Sequence, residues 1–70
     1  MKRMGKRIAK QYIAFDMAKR YARMKQYIHC HSLLKEAVEY RPLTPLQWFN
    51  LKLLLPGPKY REFQDEFDPI

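Results

Sequence analysis

Between Lys6 and Arg41 the chain contains neither glycine nor proline, and its apolar residues return at helical spacing. The stretch is rich in Ala, Lys, Arg, Met, Leu, Gln and Glu, which lose little conformational freedom on entering a helix. At about 100° per residue, Ile8, Tyr12, Phe15, Ala18 and Ala22 fall on one stripe. Ile13, Met17, Tyr21, Met24 and Ile28 fall on a second, roughly opposite. A surface helix of a small protein needs one apolar stripe, so the second calls for a cover. Two continuations past residue 28 fit the pattern equally. One helix running to about Tyr40 would carry the first stripe on through Cys30, Leu33 and Ala37, while a break at His29-Cys30-His31-Ser32 would start a second helix capped by Ser32. The continuing stripe is expected to meet the third helix in a hairpin and the second stripe a partner; the alternative is that both stripes are core of a tight three-helix bundle.

Pro42 ends this segment, because proline lacks an amide donor and restricts the residue before it. Thr44-Pro45-Leu46-Gln47 then supplies an N-cap threonine, a proline in the first turn and a glutamine three residues after the cap, the pattern of a capping box. From Trp48 to Leu55 the apolar residues go all the way round, as in a helix buried on several sides. Pro56-Gly57-Pro58 is a strong stop, and beyond it acids alternate with Tyr60, Phe63 and Phe67. No segment sustains the two-residue alternation of a strand.

The pattern therefore predicts an all-α fold of two or three helices. A long basic helix or helix pair lies within 6–41 and a short apolar helix over 45–55. One small domain covers 1–58, and 59–70 form an irregular acidic and aromatic tail.

Size sharpens this picture. Seventy residues make one domain, and a chain this short commonly retains only about 3–5 kcal/mol of net stability unless it is stapled. Cys30 is the sole cysteine, so no disulfide forms within the chain. Stability must come from helix packing or from a partner, and self-association is one expectation.

Charge adds a direction. The net charge is +7, which favours nucleic acid, anionic lipid or an acidic protein surface. Residues 1–28 hold nine bases and one acid, Asp16, whereas residues 59–70 hold four acids and two bases. Lys2, Arg3, Lys6, Arg7, Lys10, Arg20 and Arg23 are the candidate phosphate contacts, with Tyr12, Tyr21 and Tyr27 interleaved as stacking platforms. The longest strongly apolar run, Leu53-Leu54-Leu55, is far short of the roughly 20 residues of a membrane span. The opening Met-Lys-Arg-Met-Gly-Lys-Arg does not read as a secretory signal, and residues 1–28 lack the Ser and Thr usual in a mitochondrial presequence. The expected location is intracellular, in the cytoplasm or an organellar matrix.

Catalytic chemistry finds little support. On a helix His29 and His31 point about 200° apart, and no further ligand at metal spacing completes a site with Cys30. Glu62, Asp65, Glu66 and Asp68 sit in the terminal segment without pocket-forming sequence. Gly5 and Gly57 are the only glycines, so no phosphate loop exists. No catalytic residue, metal or cofactor is expected. The expected function is binding: an accessory subunit or inhibitor that docks on a larger protein or assembly through Ile13, Met17, Tyr21, Met24, Ile28, Trp48 and Phe49. The alternative is a nucleic-acid-binding protein, such as a ribosome- or nucleoprotein-associated subunit, that uses the basic N-terminal helix.

Overall fold

The glycine-free segment folds as two helices, α1 (Lys2–Arg23) and α2 (Tyr27–Tyr40), and the joint lies at Lys25. Neither the uninterrupted helix nor the break at His29–Ser32 occurs; Ser32 lies inside α2. The Gln26 N–H donates to the Tyr21 carbonyl at 2.9 Å and the Lys25 N–H to the Ala22 carbonyl at 3.0 Å. This paired closure places one residue in the left-handed region, usually glycine. Here Lys25 takes it, at φ 60°. With no glycine or asparagine to mark the turn, composition gave no sign of it.

The computed structural model describes residues 2–68, with side chains from Gly5 onward. Two further helices follow, α3 (Pro45–Leu54) and α4 (Gly57–Phe67). The capping box of α3 forms as its sequence reads: the Gln47 N–H donates to Thr44 Oγ1 at 3.1 Å, and the Thr44 N–H to Gln47 Oε1 at 3.0 Å.

Helix α4 replaces the expected irregular tail. Pro58 falls in the first turn, where a missing N–H costs nothing, so Pro-Gly-Pro both ends α3 and admits α4. Tyr60, Phe63 and Phe67 lie on one helical face. Phe63 and Phe67 are buried, and Tyr60 packs against the same core.

Helix α1 packs most extensively on α2 and meets α3 at a smaller contact, while α4 rests on α2 and α3. Among the described residues α1 and α4 do not touch. The expected hairpin between the continuing stripe and the third helix is thus replaced by a hairpin between α1 and α2. Its inner face is built from small residues, Ala14, Ala18, Ala22, Cys30 and Ala37, with Phe15 and Leu34. Small side chains let two helix axes approach closely. Leu34, not Leu33, is the fully buried leucine of α2, and Cys30 and Ala37 of the expected stripe are buried beside it. The remaining core comes from Leu43, Trp48, Leu51, Leu55, Phe63 and Phe67.

The molecule is a slab of 38 × 27 × 18 Å. Its short dimension is under two helix diameters of about 10–12 Å each, so every helix keeps a solvent face. None of the described helices is long and apolar enough to cross a membrane.

Candidate protein-docking face

The inner face of α1 is satisfied by the fold, and its outer face is not. Gln11, Ala14, Phe15, Ala18 and Ala22 are buried, whereas Ile13 is 62% exposed, Met17 42% and Met24 54%. Tyr12, on the inner stripe by spacing, is half exposed, as its position at the edge of the helix contact requires. Beyond the Lys25 turn, Ile28 in the first turn of α2 is 85% exposed. Tyr21 is partly buried against the core and stacks on His29 with ring centroids 5.1 Å apart.

Ile13, Met17 and Met24 share one outward line with Lys6, Lys10 and Arg20 at the i, i+3, i+4 spacing of a helix face. Charged residues thus stand in line with the apolar ones. Beside Ile13 and Met17 runs a groove between α1 and α2, whose opposite wall is Leu33, Glu36 and Tyr40, with Lys10 at its rim.

Trp48 and Phe49 separate. The Trp48 ring is buried and meets Tyr60 edge-on at 6.0 Å, so it belongs to the core between α3 and α4 and does not join the α1 face. Phe49 is 55% exposed, on a different surface.

The basic residues divide as well. The side chains of Lys2 and Arg3 lie outside the described part. Lys6, Lys10, Arg20 and Arg23 are exposed. Arg7 reaches across to α2, where its Nη2 donates to the carbonyls of Glu39 and Tyr40, both at 3.1 Å. Those carbonyls have no partner within their own helix, so Arg7 closes the end of α2. Arg20 lies 3.4 Å from Asp16 in an exposed pair one turn apart, worth little in water.

The tyrosines expected to stack on bases are engaged by the chain itself. Arg41 lies over Tyr12 at 5.5 Å, Lys59 over Tyr27 at 5.9 Å, and His29 covers one face of Tyr21.

Sequence reasoning missed a polar tie at the back of this helix. Gln11 and Gln47 are both buried and exchange two side-chain hydrogen bonds: Gln11 Nε2 donates to Gln47 Oε1 at 2.8 Å, and Gln47 Nε2 to Gln11 Oε1 at 2.9 Å. The same Gln47 closes the α3 cap, so one side chain fixes the start of α3 and locks it to α1. A glutamine one turn before Ala14 and Phe15, at the start of the buried face, was the available signal.

His31 is held by α4. Its Nε2–H donates to Glu66 Oε1 at 2.8 Å, and its ring lies 5.5 Å from Phe63 and 5.1 Å from Phe67. Cys30 is fully buried, and burial pushes its thiol up from 9.0 to about 11, because the thiolate loses its hydration there. A thiol so placed is inert. Among the described residues no three His, Cys, Asp or Glu side chains gather as a metal site would require.

Comparison with known proteins returns nothing: no family model, curated protein or solved structure matches this chain.

Proposed function

We propose that the protein is an accessory or inhibitory subunit that docks on a larger protein through the outer face of α1. The observation that carries this reading is the exposure of Ile13, Met17 and Met24 on a helix whose opposite face already holds the core. A domain this small gains nothing from an uncovered second stripe, and methionine adapts readily to an opposing surface. The groove beside Ile13 and Met17 gives the face relief into which a partner's side chains fit. Ile28 lies apart from this face, beside Lys59 and Glu62 of α4, and Tyr21 packs against the core.

A protein partner is preferred to nucleic acid for two reasons. Arg7 is committed to α2 carbonyls, and Tyr12, Tyr21 and Tyr27 each have a ring face covered. The bases that remain on the outward line stand among apolar side chains, which suits an acidic, partly apolar protein surface more than a phosphate backbone. An intracellular setting accords with the buried free thiol.

The test compares affinity purification of the wild-type chain with that of Ile13→Ser/Met17→Ser/Met24→Ser. The reading expects both to be equally helical, and expects a protein that survives nuclease to co-purify with the wild type alone. Loss of all bound material on nuclease treatment would move the function to nucleic acid.

A further inference from the structure

A second apolar surface lies on α3. Leu46, Phe49 and Leu53 recur at helical spacing, and they are 70%, 55% and 68% exposed. Trp48, Leu51 and Leu55 on the other side of the helix supply the core, so the outward residues are surplus to folding. Along the same helix runs a groove between α3 and α4, lined by Leu43, Trp48, Phe49, Lys52, Tyr60 and Asp68. Among the described residues no salt bridge joins Lys52 to Asp68.

We infer that this surface binds a second copy of the same chain, with two α3 helices antiparallel across a two-fold axis. Ridge and groove lie side by side on one helix, so turning a copy through 180° sets each Phe49–Leu53 ridge over the other's groove. A two-fold interface pairs residue i with j and j with i. In the register that sets Lys52 of one copy opposite Asp68 of the other, the same symmetry repeats the pair, and the two opposite charges on one groove are matched without help from any other molecule. A partner of single charge sign would match only one of them.

Net charge permits the arrangement. A chain of charge +7 resists self-association through its basic parts. Residues 57–68, however, hold four acids against two bases, and α1, with eight bases and one acid, makes no contact with α4. Among two-fold arrangements, in which each surface meets its own copy, the one through the α3–α4 side brings two copies together with least repulsion. Three exposed side chains cover only part of the roughly 800 Å² per partner of a standard stable interface, so the dimer belongs to the weak, micromolar class. The α1 face stays free on both copies, and the inference stands independently of the proposed function.

Sedimentation equilibrium of the full chain over a concentration series tests it. The wild type should dimerise at micromolar to tens-of-micromolar concentration, and Phe49→Ser/Leu53→Ser should be monomeric throughout with unchanged helical content. Lys52→Asp should weaken the dimer about tenfold or more, and Lys52→Asp/Asp68→Lys should restore it. Ile13→Ser/Met17→Ser should dimerise like the wild type. The charge pair decides the matter even if the α3 double variant fails to fold. A wild type monomeric up to 1 mM would overturn the inference. So would a dimer indifferent to Lys52, or one abolished only by the α1 substitutions.

Discussion

Gln11 and Gln47, 36 residues apart, bind each other as a closed amide pair inside an otherwise apolar contact, with both hydrogen bonds under 3 Å. Gln47 Oε1 also accepts from the Thr44 N–H. A change at Gln47 therefore acts on the α3 cap and on the α1–α3 contact together. Gln47→Ala orphans the buried Gln11 amide and removes half of the capping box, for a loss of about 2–4 kcal/mol. Gln11→Leu should cost less, since Gln47 keeps its cap. Urea denaturation of the two single variants and the double variant should give a double variant well short of the sum, as expected for residues in one network. Additive losses would mean the pair is not formed.

Lys25 occupies a conformation that glycine enters freely and other residues enter at about 1–2 kcal/mol. Lys25→Gly should stabilise the protein by about 0.5–1 kcal/mol, the unfolded chain's added freedom offsetting part of the relief. In a domain of this size each kcal/mol moves the midpoint by about 4–8 °C, so a thermal melt resolves the gain. A loss of stability would show the turn to be closed in another way.

Phe63 and Phe67 make α4 part of the core. Phe63→Ala should cost about 3–5 kcal/mol, comparable with the whole stability of a chain this short. A chain cut after Pro58 should be largely unfolded by circular dichroism. Retention of a cooperative melt by that truncated chain would return α4 to the status of a dispensable tail.

Cys30 makes stability depend on alkaline pH. Its folded value, about 11, lies above the 9.0 of an exposed thiol. Below pH 9 both states hold the proton and the contribution is constant. Between pH 9 and 11 the unfolded chain releases the proton first, so stability falls as pH rises, by on the order of 2–3 kcal/mol at most. Cys30→Ala should flatten that part of the curve while costing some packing at all pH values. At pH 8 the native thiol should react with a disulfide reagent only as fast as the protein opens.

Ile13 and Met17 lie outside the buried core. Serine at either position should alter stability by no more than about 0.5 kcal/mol, whereas Phe15→Ala, on the inner face of the same helix, should cost about 3–5 kcal/mol. Equal losses would mean that the outer stripe is covered within the molecule.

What the sequence revealed follows the range of the interactions involved. The Thr44–Gln47 cap is made among neighbours, so four letters specify it. The two faces of α1 are also visible in the residue order, because a helix repeats its geometry strictly. The turn at Lys25 is local but was hidden, since neighbouring helices hold a lysine where glycine usually stands. Helix α4 was hidden for a different reason. Pro-Gly-Pro ends one helix and starts another with the same residues, and its stopping role outweighed the spacing of Tyr60, Phe63 and Phe67. The inward turn of Trp48 against the outward one of Phe49 was out of reach. On a helix apolar all round, only the position of α4 decides which ring is covered.

The separation of α1 from α4 gives the free molecule an electrical orientation. Its bases gather on α1 and its excess of acids on α4, which meet only through α2 and α3, so the protein behaves as a permanent dipole. In the field of an acidic partner such a body is turned before it is touched, because rotation is fast and the torque acts beyond the reach of any contact. If the proposed partner is acidic, the face carrying Ile13 and Met17 is then presented first, and fewer collisions are lost to the wrong side. Added salt, by shortening the range of that torque, should slow association more than it speeds release.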